Sequence, residues 1–226
     1  MAHLVSVNLA VPRHNPAKDT GVTGIDKRPT TDPVPVKAPA GQGISGLAGD
    51  RIFDVAHHGG PDQAVYAYAR EDLDAWAETL GRPLSDGSFG ENVTTSGLDV
   101  TGALIGERWR IGDEVVLEVS APRIPCNTFA HWIAEQGWVK RFTERAVPGA
   151  YLRVVVPGEI RAGDPVVVTH RPDHDVTIGL TFRAVTREPE LLPRLLTAEA
   201  LPADIRASVA RRTGAGASPP PSVTVS

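Results

Sequence analysis

Glycine and proline recur so often in this chain that no long helix can run uninterrupted. The 22 glycines and 20 prolines make nearly one residue in five, against about 12% in an average protein. Glycine supplies positive φ where the backbone must reverse, and proline removes a hydrogen-bond donor and fixes φ, so such a chain is expected to build itself from many short strands. Residues 3–11 are apolar and β-branched enough for a first strand. The stretch from Pro12 to Gly49 carries almost no helical periodicity and reads as loop broken by short strands. Residues 50–58 and 64–68 read as strands flanking the turn His58-Gly59-Gly60-Pro61-Asp62. Residues 106–116 and 158–167 echo one another as strand, Gly-Asp turn, strand. Hairpins of this kind recur in closed or nearly closed barrels, where every edge is paired, although two ordinary hairpins would look the same.

Helical patterning is confined to a few places. From Arg70 to Leu80, the residues Leu73, Trp76, Ala77 and Leu80 fall on one face, acidic residues occupy the first turn, and Gly81-Arg82-Pro83 ends the run. A second helix is expected over 127–136, directly after Cys126, with Phe129, Trp132 and Ile133 on one face. After His170 three short helices are expected, over 176–186, 189–196 and 203–211. The reading is therefore one β-rich domain over 1–170, a three-helix appendage over 171–212, and a Gly/Ala/Ser/Pro tail over 213–226 with no core-forming pattern, expected to be disordered.

A net charge of −4 offers no sustained basic face for nucleic acid. No segment approaches the ~20 apolar residues of a membrane span and no basic n-region opens the chain, so a cytoplasmic protein is expected. The single cysteine excludes an internal disulfide and a cysteine-rich zinc site.

That cysteine, Cys126, follows Pro122-Arg123-Ile124-Pro125 at the junction of a strand and a helix N-terminus. A nearby guanidinium and a helix start both stabilise a thiolate, so the position argues for a functional thiol over a buried packing residue. Adjacent His57 and His58 on an extended strand would face opposite ways; at most one faces a pocket, with His58 as hydrogen-bond donor or acid and a backbone-satisfied turn histidine as the competing reading. In Phe89-Gly90-Glu91-Asn92 the glycine allows close backbone approach, and Glu91 and Asn92 can present a carboxylate and an amide. Lys27 and Arg153 are further cationic candidates for an anionic ligand, each of which could equally be a solvated surface charge.

In this order, Ile25-Asp26-Lys27, Gly46-Leu47-Ala48-Gly49-Asp50, His57-His58-Gly59-Gly60, Phe89-Gly90-Glu91-Asn92, Pro122-Arg123-Ile124-Pro125-Cys126 and Tyr151-Leu152-Arg153-Val154 resemble the MOSC family, named for the C-terminal domain of molybdenum cofactor sulfurases. The likeness is to its stand-alone bacterial YiiM-type branch and spans roughly residues 1–212. It implies a β-barrel related to that of the pyruvate kinase β-domain with a small three-helix appendage, and a molybdopterin cofactor whose molybdenum is ligated by Cys126. It further implies that Lys27, Arg51, Arg123 and Arg153 contact the phosphate and pterin, and that His58 and Asn92 shape the substrate side. This chain has Ala146-Val147-Pro148-Gly149-Ala150 where the family usually carries an Arg- and Trp-containing stretch.

The activity so implied is reduction of N-hydroxylated compounds such as hydroxylaminopurines, a detoxification. Electrons would come from a partner redox protein: the Gly-x-Gly-x-x-Gly spacing at Gly41, Gly43 and Gly46 lies in the stretch without helical periodicity, not at the strand-to-helix turn that a flavin or NAD fingerprint needs. A homodimer is compatible with the resemblance, and the family also carries an association with pyridoxal phosphate. Three other readings stay open at this point: a sulfur carrier with a Cys126 persulfide, a module that holds the cofactor without turnover, and a Cys-His hydrolase using His58 or His131.

Overall fold

The computed structural model describes residues 1–18 and 21–214. In chain order it contains β1 (His3–Ala10), β2 (Arg13–Asn15), β3 (Gly21–Thr23), β4 (Lys27–Thr30), β5 (Val34–Val36), β6 (Val65–Ala69), α1 (Arg70–Leu80), β7 (Val93–Ser96), β8 (Arg108–Ile111), β9 (Val115–Pro122), α2 (Asn127–Ile133), α3 (Trp138–Arg145), β10 (Ala150–Val156), β11 (Gly158–Ile160), β12 (Val166–His170), α4 (Ile178–Thr186), α5 (Leu192–Leu195) and α6 (Ala203–Thr213). The tail expected to be disordered lies, from residue 215 onward, outside the described residues, and Thr213 belongs to α6.

Eight strands form one sheet in the order β12-β8-β9-β10-β6-β7-β1-β4. It curls until its two ends approach. His3 bridges Pro165, and the Leu4 N–H donates to the Asp164 carbonyl (2.9 Å) while the Val166 N–H donates to the Ala2 carbonyl (2.9 Å). The ladder does not continue beyond this bridge, so the fold is a nearly closed barrel rather than a sealed one. β6 and β7 run parallel, which a tight hairpin cannot achieve. The crossover contains α1, whose Leu73 and Trp76 are buried and whose C-cap Gly81 adopts φ 65. This helix has the bounds its apolar spacing predicts.

Two expectations change. The Gly106–Val116 segment is a hairpin, β8 with β9. Its echo is not: the Gly163-Asp164 turn exists, but β11 pairs with β5 and β12 pairs with β8. β12 is the edge strand of the eight-stranded sheet while β11 forms a separate two-stranded sheet with β5, and the turn signal alone carries no information about partners. Residues 50–58 form no strand. Asp54 instead opens a turn whose carbonyl accepts the N–H groups of His57 and His58 (3.2 Å each).

The expected helix over 127–136 also breaks. Ala134 takes the left-handed conformation (φ 58), and α3 begins after Gly137. The break folds Phe129 and Ile133 against Trp138 and Phe142, in an aromatic cluster completed by Trp76, Phe89 and others. Trp132 stays at the surface and donates to the Ser88 carbonyl (2.8 Å). A second cluster fills the curled sheet and extends without interruption to Ile178, Leu192, Leu195 and Val209 of the C-terminal helices. Among the described residues no helix is long and apolar enough to cross a membrane.

Candidate functional site

One cleft gathers most of the candidate residues. It has a volume of about 110 Å³ and opens to solvent, between the β3–β4 turn, the 45–59 loop, β6, Gly90 to Asn92, Arg123 to Thr128, and Tyr151. Gly24 lets the β3–β4 turn close over this loop: a Cβ there would lie 2.4 Å from the Arg51 carbonyl.

The floor is organised by Asp50. Its carboxylate accepts from Lys27 Nζ (2.6 and 2.7 Å), the Ser45 hydroxyl (2.7 Å), Asn92 Nδ2 (2.9 Å) and the Ala10 N–H (2.9 Å). Burial alone would raise its pKa, but Lys27, Ser45 and Asn92 hold it below the usual carboxylate range. Burial lowers the pKa of Lys27 in spite of this partner. Lys27 therefore stands at the cleft as expected, already neutralised. Asn92 lines the cleft too, with both ends of its amide in use: Nδ2 on Asp50, and Oδ1 accepting from the Tyr66 N–H (3.1 Å). Glu91 is not presented to the cleft. It accepts from the Gly87 and Phe89 N–H groups (2.6 and 2.9 Å) and the Thr94 hydroxyl (3.0 Å), and burial still pushes its pKa up to about 7.

Arg123 is buried without a carboxylate partner among the described residues. Its Nη1 donates to the Phe89 carbonyl, its guanidinium lies over the Phe129 ring (4.1 Å) and the Tyr66 ring (5.1 Å), and its Nε has no partner. The negative charge nearest in kind is the thiol of Cys126. Burial alone would push that thiol up, but His58, the Arg123 charge and the Phe129 N–H outweigh it and bring the pKa down to about 6. The thiolate is thus favoured well below the ordinary cysteine range.

Both histidines turn toward one carboxylate, contrary to the expectation that they face opposite ways. His57 Nδ1 is 2.8 Å and His58 Nε2 4.0 Å from Asp54, which is also held by Lys18. The helical geometry of the turn puts i+3 and i+4 on one side, where a strand would have alternated them. His58 lines the cleft and His57 does not. Arg51 is exposed at the cleft, and its guanidinium has no hydrogen bond or ion pair among the described residues.

Arg153 is not brought to the cleft. It donates to Asp62, to Glu118 (3.1 Å) and to the Ala200 carbonyl (2.8 Å), tying the sheet to the segment before α6. Sequence reasoning places Asp50 and Tyr151 within its motifs without giving them a role, and it misses Gln63 and Tyr66 as cleft residues. Asp50 was within reach, since a lysine that a ligand site buries needs a carboxylate; nothing local marks Gln63.

The sequence model of the MOSC domain family matches residues 54–167, about half of the chain. The chain belongs to the MOSC family. Over 193 residues it is 33% identical to the uncharacterized protein YflK of Bacillus subtilis, covering 84% of each chain. A protein of Gibberella moniliformis named simply as a reductase is 34% identical over 131 residues, 57% of this chain but 23% of that longer protein. The crystal structure of YiiM from Geobacillus stearothermophilus superposes with a TM-score of 0.75 at 27% identity, over 94% of this chain and 99% of that one. These likenesses place the chain on the YiiM-type branch of the MOSC family.

The MOSC family is associated with molybdenum cofactor binding, and the cleft can be tested for fit. Among the described residues no three His, Cys, Asp or Glu side chains converge as metal ligands. A metal here must bring its other ligands with it and take one soft thiolate from the protein, as a dithiolene-bound metal does. Arg51 and the partnerless Nε of Arg123 offer donors for an anionic group. The residues fit the group.

Proposed function

We propose that this protein is a reductase of N-hydroxylated compounds, N-hydroxylaminopurines among them, that works with a molybdenum cofactor to which Cys126 supplies the protein ligand. The observation that carries the reading is the Cys126 thiol, its pKa brought down by His58 and Arg123, at a cleft where among the described residues Arg123 has no carboxylate partner and no other metal donors converge. Arg51 and Arg123 hold the cofactor's anionic part. Lys27 contributes through Asp50, fixing the Asn92 amide and the cleft floor. His58, half-exposed at the cleft, hydrogen-bonds the Cys126 thiol. The cofactor, when bound, supplies two-electron chemistry that removes oxygen from the substrate. The net reaction takes R–NHOH with two electrons and two protons to R–NH2 and water. The electrons require a separate redox protein, since the Gly-x-Gly-x-x-Gly string at residues 41–46 lies in a loop and opens no helix, as a nucleotide-binding fingerprint would.

The test is metal analysis of protein made in a molybdenum-sufficient host, beside Cys126→Ser, with hydroxylaminopurine reduction driven by a chemical electron donor. The reading expects about one molybdenum per chain, lost with the activity in Cys126→Ser. Metal-free protein carrying one reducible extra sulfur on Cys126 would make it a sulfur carrier. Bound cofactor without turnover would make it a holding module, and undiminished activity without metal sinks the proposal.

A further inference from the structure

One wall of the cleft carries polar groups that the fold leaves unused. Of the residues lining the cleft, two hold a buried side-chain polar atom without a protein partner: Arg123 at Nε and Gln63 at Oε1. Gln63 sits on a short turn of 3-10 helix, Pro61–Gln63, between Gly60 and the start of β6, and its own N–H is fixed on the Gly60 carbonyl (3.0 Å). The Tyr151 hydroxyl, on the neighbouring strand, likewise makes no hydrogen bond among the described residues, although the Tyr151 side chain lines the cleft. These two residues share one wall. The Ser120 hydroxyl lies 2.5 Å from the Asp62 carbonyl and 2.9 Å from the Tyr151 carbonyl, stitching the turn to β10. A bulge in the β9–β10 pairing at this point makes room for the stitch. Charge recognition does not account for this wall: its cation, Arg153, is turned outward onto Asp62, Glu118 and Ala200.

A carboxamide presents one acceptor beside one donor, complementary to any cis-amide or amidine edge. Leaving such a group buried and unpaired costs free energy that a ligand with the matching edge recovers. We propose that Gln63, seconded by the Tyr151 hydroxyl, recognises the amide-like edge of a planar nitrogen heterocycle in this cleft, an N–H donor next to a carbonyl or ring-nitrogen acceptor. The heterocycle class rests on the function proposed above. Two sources offer this edge: the pterin of the cofactor and a purine substrate. Gln63 is a binding residue in either case, and it discriminates against ligands of the same shape that lack the donor-acceptor pair.

The experiment uses Gln63→Met and Gln63→Glu in the full chain. Gln63→Met replaces an unpaired buried acceptor by an apolar chain of similar length, so its melting temperature should equal or exceed that of the wild type. Calorimetric titration is run with pterin, with 6-hydroxylaminopurine, and with quinoxaline as a flat control lacking the edge. Molybdenum content is measured in parallel. The wild type should bind at least one of the two edge-bearing probes. Gln63→Met should weaken that binding about tenfold or more, Gln63→Glu less, and neither should change the response to quinoxaline. Loss of pterin affinity together with molybdenum content identifies the cofactor as the source; loss confined to 6-hydroxylaminopurine at full molybdenum content identifies the substrate. Wild-type protein that binds neither probe, or Gln63→Met binding both within twofold of wild type, overturns the inference. Because the titrations need no turnover, they read this inference even if metal analysis has refuted the reductase.

Discussion

Asp50→Asn should cost far more stability than Lys27→Met, although the two residues are partners in one ion pair. The pair is buried, with side-chain exposures of 1% for Asp50 and 9% for Lys27. Lys27 hydrogen-bonds to Asp50 alone, whereas Asp50 keeps three other donors, from Ala10, Ser45 and Asn92. Removing the carboxylate charge strands an ammonium in the cleft floor, a loss of ~3–5 kcal/mol. Removing the lysine leaves a carboxylate still held by three donors, a loss of about 1–2 kcal/mol. The pH dependence has a definite sign. Burial already lowers Lys27 from 10.5, and without Asp50 the charged form loses its main support. Between the native pKa and 10.5 the unfolded chain then binds more protons than the folded one, so Asp50→Asn should gain stability relative to wild type as pH rises through that window. Urea unfolding of both variants near neutral pH and again at alkaline pH measures the costs and the slope. An Asp50→Asn penalty below about 1 kcal/mol, or a Lys27→Met penalty just as large, refutes the assignment of Asp50 as the hub.

Two further outcomes follow from the same geometry. In metal-free protein, alkylation of Cys126 by iodoacetamide should reach half its maximal rate near pH 6, where the thiol titrates, and Arg123→Met should move that midpoint upward; a wild-type midpoint above about 8 contradicts the thiolate reading. Arg153→Met should lower stability by roughly 1–3 kcal/mol, since it takes the partner from Asp62 and the Ala200 carbonyl and leaves Glu118 with Arg108 alone, while leaving cofactor content unchanged. Loss of cofactor at full stability would return Arg153 to the binding site.

What could be read from the sequence depended on whether the deciding interaction was local. Helix α1 carries its apolar stripe, acidic first turn and glycine stop within one run of residues, and its bounds follow. Arg123, Pro125 and Cys126 stand together, so their shared chemistry was visible before any fold. The histidine pair was misread because the difference between a strand and a turn rested on one carbonyl, that of Asp54, accepting two N–H groups. The helix after Cys126 was drawn too long because no glycine or proline marks Ala134; tertiary packing of Phe129 against Trp138 and Phe142 decides the break. Arg153 has the strand position its motif suggests, yet Glu118 from β9 and Ala200 from beyond α5 claim it, and neither partner is near it in sequence.

The charge layout explains why the thiol ionises here. The Lys27 ammonium is cancelled by Asp50, and Lys18 with the histidines is set against Asp54. What remains at the cleft is two guanidiniums, one exposed at Arg51 and one buried at Arg123, against a single candidate anion. Among the described residues no carboxylate reaches Arg123, so its charge adds to the larger effect of the His58 hydrogen bond on Cys126, and aromatic faces at Tyr66 and Phe129 hold the guanidinium in place without neutralising it. The fold thus keeps one buried cation incompletely paired inside the protein, and the cleft retains a positive surplus even with the thiolate formed. Such a site stabilises a soft anionic ligand and an incoming anionic group at once, which is the combination a metal carried on its own anionic cofactor demands.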